Sequence, residues 1–161
     1  MTSQLGTLHL LCGKIASGKS TLAKELVKTP NTVILSEDEW LANLYPSEIK
    51  SITDYIRCSG HLRGAMEKHV AELLRIGVSV VLDFPANTVA NRKWMKGILK
   101  NVHAEHVLHF LDVSDDHCLM RLRARNASGT HAFVVEDAEF DRITSYFVAP
   151  QLEEEFNILR Y

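Results

Sequence analysis

The chain is short of cysteine, of proline and of any excess of positive charge, and each shortage removes a class of protein. Its three cysteines, Cys12, Cys58 and Cys118, are odd in number, far apart and form no C-x-x-C. They predict reduced thiols, not a disulfide framework. With four prolines and no Pro/Gly/Ser-rich tract, nothing divides the sequence, so residues 1–161 read as a single domain. Eighteen Lys and Arg against twenty Asp and Glu give a formal net charge of −2. That balance lacks the broad basic surface of a non-specific nucleic-acid binder. No apolar run approaches the ~20 residues of a membrane span, and the first five residues carry no basic-then-apolar leader. The expectation is a cytoplasmic protein with no membrane partner. Eight histidines are present, but none forms an i,i+4 pair on a helix, so no transition-metal site is expected.

What is present is concentrated in one octapeptide. Gly13 to Ser20 reads Gly-Lys-Ile-Ala-Ser-Gly-Lys-Ser, a full match to G-x-x-x-x-G-K-[ST]. Glycines at both ends allow the backbone to curl until successive N–H groups point at phosphate oxygens. Gly13, Lys14, Ala16, Ser17, Gly18, Lys19, Ser20 and Thr21 are therefore the candidate residues for ATP. Lys19 would reach the β- and γ-phosphates, and the Ser20 hydroxyl could ligate Mg²⁺. The context fits: Leu8 to Cys12 is a short apolar run suited to a buried strand. Thr21 to Val27 then places Leu22, Ala23, Leu26 and Val27 on one helical face.

Strand-like and helical stretches alternate along the rest of the chain. Strands are expected at Thr32–Leu35, Val78–Leu82, His106–Leu111 and Phe156–Leu159. Helical patterns cover Ser47 to Ile76, ended by Gly77, then Asn91–Lys100, Asp115–Asn126 and Glu136–Phe147. Such alternation predicts an α/β fold, a parallel sheet of about five strands with helices on both faces. Ligands of these sheets gather beyond the carboxyl ends of the strands. The residues found there are the phosphate loop, Ser36-Glu37-Asp38-Glu39, Asp83 with Asn87, and Asp112-Val113-Ser114. Ser36 and Ser114 read as helix N-caps. Asp38 and Asp83 read as functional, because both would face the phosphates. Trp40 and Trp94 read as core.

Arg121 and Arg125 share one face of their helix at i,i+4, whereas Arg123 lies on the far side. Two like charges on one face suit an anion held between them, here a triphosphate. Asn126 to His131 is small, polar and turn-prone, the composition of a short lid.

Together these residues resemble the P-loop kinases of small hydroxyl acceptors. That bacterial predicted-kinase group (AAA_33-like) lies near polynucleotide 5′-kinases, chloramphenicol phosphotransferase and zeta toxins. The resemblance rests on Gly13 to Thr21, Leu35 to Trp40, Leu82-Asp83 with Asn87-Thr88 and Arg92, Arg121 to Asn126, and Phe140 to Phe147. It implies a three-layer P-loop NTPase fold of the nucleoside monophosphate kinase type. It also implies ATP with Mg²⁺ as cofactors and Asp38 as the general base at the acceptor hydroxyl. Lys19, Arg121 and Arg125 would brace the transferring phosphoryl group. Asp38, Asp83, Asn87 and Arg92 would line the acceptor site, and Asp83 either serves Mg²⁺ with Ser20 or orients the acceptor. Polynucleotide kinases carry an arginine three residues past the base, where this chain has Leu41. The second lid arginine expected downstream of Arg125 is also missing. Both departures favour a small-molecule hydroxyl acceptor over nucleic acid.

Rival functions lack their own residues. A GTPase needs Asn-Lys-x-Asp, and Asn91-Arg92-Lys93-Trp94 has no final carboxylate. A mechanical ATPase needs a strand ending in Asp-Glu, and Asp83 is followed by Phe84. A non-catalytic ATP-sensing module and a polynucleotide 5′-hydroxyl kinase remain the alternatives. The oligomeric state is not legible.

Overall fold

The structure, a computed structural model, describes residues 4–129 and 134–161. Its elements run β1 (Leu8–Gly13), α1 (Lys19–Leu26), β2 (Thr32–Ser36), α2 (Glu37–Leu44), α3 (Ile52–Arg75), β3 (Ser79–Asp83) and α4 (Val89–Val102). They continue with β4 (His106–Leu111), α5 (Asp115–Ser128), α6 (Asp137–Thr144), a 3₁₀ turn (Leu152–Glu154) and β5 (Ile158–Arg160). The five strands form one sheet in the order β2-β3-β1-β4-β5. Every pairing is parallel. β1 sits at the centre, where both neighbours arrive by crossovers, so its carboxyl end opens at the switch point of the sheet.

Both faces of the sheet are covered, which is why β1 and β3 read as nearly continuous apolar runs. On one face Leu8, Leu10, Val80, Leu82 and Leu108 join Val70 and Leu74 of α3 and Met95 and Ile98 of α4 in the main core. On the other, Leu11 and Val81 meet Leu22, Ala23 and Leu26 of α1. Beyond them, Cys118, Leu122 and Phe140 bring α5 and α6 against Ile15 and Ala16 of the phosphate loop. This is the parallel sheet covered on both faces that the alternation predicts, and the three-layer P-loop arrangement that the resemblance implies.

The differences from the periodic reading have local causes. The stretch expected from Ser47 becomes helical only at Ile52, where the Ser51 hydroxyl caps it by accepting from the Asp54 N–H at 3.1 Å. Gly77 then turns with a φ of +86° just past the helix end, a conformation that glycine adopts at little cost. Acids over residues 37–39 obscured α2, yet Ser36 caps it as expected. α5 runs on through Ser128 to Gly129 at φ +64°, so Asn126–Ser128, expected to open a lid loop, are helical. The remainder of that lid, Thr130 and His131, lies outside the described residues. α6 stops at Thr144 instead of reaching Phe147. Phe147 instead packs on the main core, stacked on Phe110 with ring centroids 6.2 Å apart.

Candidate active site

The loop after β1 is shaped by two left-handed residues, Ala16 at φ +60° and Gly18 at φ +103°. Such turns aim consecutive N–H groups into one concavity, a nest for anions. For Ala16 the conformation costs about 1–2 kcal/mol, and its surroundings must hold it. Several contacts do so. The Ser17 N–H donates to Lys14 O at 3.1 Å. The Asn87 carboxamide accepts the Gly13 N–H at 3.0 Å. Arg121 donates to Ser17 O at 3.2 Å. A Cβ on Gly13 would lie 2.4 Å from Ser17 Oγ, so close approach, not a positive φ, requires glycine there.

Around this loop a cleft of about 1110 Å³ takes in Lys19, Ser20 and Thr21, Glu37 and Asp38 of α2, Asp83 at the end of β3, Asn87, and Arg121 with Arg125. Small-ligand pockets run from roughly 300 to 1,000 Å³, so there is room for a nucleotide and a second compound. A smaller hollow between α3 and α4 has no amide nest, and its Arg75 is already paired with Glu72.

The cleft divides into two halves by charge. The nucleotide half carries the nest with Lys19, Arg121 and Arg125. Lys19 Nζ donates to the carbonyls of Gly13 and Lys14 at 2.6 and 2.8 Å. Burial lowers its pKa, and the Asp83 carboxylate opposes that shift. Arg125 Nε and Ser17 Oγ are buried without a partner among the described residues. Buried orphans of this kind call for a ligand. Arg121 and Arg125 both face the cleft, while Arg123 turns away to pair with Asp137. The Lys14 side chain also turns away, to Asp115 and over the Phe147 ring, which leaves its backbone for phosphate.

The other half is acidic and aromatic: Glu37, Asp38, Tyr55, Asp83, Phe84 and Pro85. Asp38 is exposed to the cleft, and Asp83 is half-buried. Burial raises the Asp83 pKa and the Asp38 charge raises it further, with Lys19 pulling it back. The two carboxylates are thus close enough to feel one another. A hydroxyl from Ser20 and a carboxylate from Asp83 are hard oxygen donors lining one cleft, a set that suits Mg²⁺ carried in by phosphates. Among the described residues no group of three or more His, Cys, Asp or Glu could hold a metal by itself.

Two sequence expectations change. Arg92, expected at the acceptor site, is fully buried and takes no part in the cleft. Its guanidinium grips Glu154 at 2.5 and 2.9 Å and donates to the carbonyls of Ala86 and Val148 at 2.9 and 2.8 Å. It is spent on tying the C-terminal segment to the β3–α4 loop. Asn87 does line the cleft, but its oxygen is committed to the Gly13 N–H. Asp112 pairs with Arg160 and stands apart from the cleft. The sequence reading also passed over Glu37, whose carboxylate is 2% exposed and accepts from the Tyr55 hydroxyl at 2.7 Å. One acid in a run of three carries no local signal of which way it points.

Residues 8–150 match the family model AAA_33, described as an AAA domain. The chain belongs to this family. The sequence matches none of the curated proteins compared with it. Among solved structures, a candidate kinase of Chloroflexus aurantiacus superposes with a TM-score of 0.73 at 19% identity, over 98% of this chain and 85% of that one. The APS kinase CysC of Mycobacterium tuberculosis, in complex with AMPPNP and APS, gives 0.62 at 18% identity, over 98% and 89%. Kti12 of Chaetomium thermophilum, in complex with ADP-AlF₃, gives 0.68 at 14% identity, over 96% and 89%. At these identities the likeness is one of fold: this AAA_33 member has the P-loop kinase-like fold. No described helix is long and apolar enough to cross a membrane.

Proposed function

We propose that this AAA_33 protein transfers the γ-phosphoryl group of ATP to a hydroxyl of a small molecule. The observation that carries the reading is the division of one cleft into a cationic nest and an acidic half, with Asp83 at the boundary between Lys19 and Asp38. The acceptor oxygen attacks the γ-phosphorus while its proton passes to Asp38, and ADP leaves along the line of attack. Lys19, Arg121 and Arg125 stabilise the charge that spreads over the transferring oxygens. Ser20 and Asp83 would hold Mg²⁺, which supplies further neutralisation of phosphate charge. Tyr55, Phe84 and Pro85 give the acceptor an apolar wall, the make-up of a small-molecule pocket. Leu41, where polynucleotide kinases carry an arginine, is buried in the core.

The test is ADP release from ATP·Mg²⁺ above the water-hydrolysis background, over a panel of small alcohols and a 5′-hydroxyl oligonucleotide. Transfer to members of the panel is expected. Salt-sensitive labelling of the oligonucleotide alone would make the protein a polynucleotide kinase. Tight ATP binding without transfer to anything would make it a nucleotide-sensing module.

A further inference from the structure

Behind Asp38 lies a side-chain network whose Glu37 and Arg63 have no part in the transfer reaction as described. Glu37, in the first turn of α2, is the most buried acid of the cleft. Its two oxygens are held from α3, one by the Tyr55 hydroxyl at 2.7 Å and the other by Arg63 at 3.4 Å. Burial raises the Glu37 pKa; the Tyr55 hydrogen bond and the Arg63 charge offset only part of that rise, and the Asp38 charge adds to it. Arg63 in turn lies over the Trp94 ring at 5.6 Å, and Trp94 packs on Phe84 with centroids 5.4 Å apart. The network therefore runs from the turn that bears Asp38, through α3, to the aromatic wall of the acceptor half.

We propose that Glu37, Tyr55 and Arg63 form a latch that aims Asp38 at the acceptor and, by holding Arg63 on Glu37, leaves the acceptor half closed to anionic alcohols. Adjacent residues of a helix are fixed in relative direction, so pinning Glu37 inward sets the rotation of the turn from which Asp38 points outward. Among the described residues lining the cleft, the only cations are Lys19, Arg121 and Arg125, and all three serve the nest. Arg63 is the nearby cation that an anionic acceptor would need, and Glu37 neutralises it. A phosphate or carboxylate on the acceptor would meet Asp38 and Asp83 with no cation on its own side of the cleft to pair with, and such juxtaposition is unfavourable. Tyr55, with its hydroxyl already donated, offers the acceptor its ring. These three are positioning and specificity residues; none is placed at the reacting atoms.

This inference rests on the proposed phosphotransfer, and its test reads both activity and structure in the full chain. Probes are glycerol and glucose beside glycerol 3-phosphate and glucose 6-phosphate, with water as the background acceptor. In Tyr55→Phe, kcat should fall roughly ten-fold or more with the KM for ATP unchanged, because a hydrogen bond to a charged group is lost away from the nest. Amide exchange over residues 38–41 should quicken in the same variant. Glu37→Gln keeps an acceptor for Tyr55 while releasing Arg63, so it should retain more kcat than Tyr55→Phe. It should also shift preference toward the phosphorylated alcohols by roughly ten-fold. The wild-type protein should discriminate against both phosphorylated probes, an arm that depends on no variant folding. Wild-type kcat and wild-type exchange in folded Tyr55→Phe would overturn the latch and leave the kinase reading standing. Equal use of phosphorylated and parent alcohols by the wild type would overturn the exclusion of anions. No ADP release above the water background with any acceptor would overturn the proposed function itself, and this role for the latch with it.

Discussion

Replacing Arg92 by methionine should damage the fold and spare the cleft. The side chain is fully buried and makes four hydrogen bonds, two to Glu154 and two to the carbonyls of Ala86 and Val148. Methionine fills most of the volume but leaves a largely buried carboxylate and two carbonyls without their donor. Breaking a buried pair by removing one partner costs about 3–5 kcal/mol, out of a total stability of roughly 5–15 kcal/mol. For a chain of this size each kcal/mol moves Tm by about 2–4 °C, so Tm should fall by about 6–20 °C. The pH dependence has a definite sign. Hydrogen bonding to Arg92 holds the Glu154 pKa below its usual 4.5. The stabilisation is therefore complete above that value and is lost as pH falls through the lower folded pKa. Urea unfolding of both proteins from pH 7 to pH 3 measures this: the gap between them should narrow toward acid. Arg92→Met with Glu154→Leu should recover part of the loss, because no carboxylate then remains unpaired. ATP affinity, measured well below the variant's Tm, should match the wild type. A variant that kept its Tm within 2–3 °C, roughly the effect of 1 kcal/mol, but lost acceptor binding would refute this reasoning and return Arg92 to the acceptor site.

Four further outcomes follow from the site and the sheet. Lys19→Met should lower turnover by a transition-state penalty of about 3 kcal/mol or more without unfolding the protein, as kinetics beside circular dichroism would show. Asp38→Asn should reduce kcat by roughly 10²–10⁴-fold with ATP affinity nearly intact in calorimetry, whereas Glu39→Gln should do far less. Arg121→Ala and Arg125→Ala should each impair transfer and Arg123→Ala should not, since its ion pair with Asp137 is exposed and weak; equal losses at all three would remove the clamp. His109 stacks on His9 and bonds Tyr161 at 2.8 Å, and burial followed by the His9 charge lowers its pKa to about 4. Its contribution to stability is complete above the ordinary 6.5 and is lost toward pH 4, by up to about 3 kcal/mol; chemical unfolding of His109→Gln should lack that acid slope.

The sheet was legible because four of its five strands run over five or six residues, and the phosphate loop because its glycines, lysine and serine fall within one octapeptide. The place of Asp38 and Asp83 at the cleft was legible for a different reason: parallel topology gathers the residues after each strand at one edge, whatever their identity. The i,i+4 spacing of Arg121 and Arg125 likewise carried their shared face, since helix geometry is local. What escaped was every assignment that depends on a partner far away in sequence. Arg92 looks like a ligand-binding arginine until Glu154, 62 residues on, is seen in its grip. Asn87 looks like an acceptor contact until the Gly13 N–H is found against it.

Glu37 shows the same limit from the other side. Glu37, Asp38 and Glu39 are chemically near-equivalent in sequence, yet they sit 100° apart around one turn. Only the position of α3 decides that the first is buried against Tyr55 and Arg63 and the second faces the cleft. A buried carboxylate held by two donors is costly to build and costly to break. Its place beside the proposed base is therefore better explained by the geometry it imposes on Asp38 than by any stability it adds. The nucleotide half of this cleft is specified by a contiguous motif. The proposed acceptor half is shaped by contacts between α2, α3 and α4, and substitutions there should retune the acceptor while leaving ATP binding untouched.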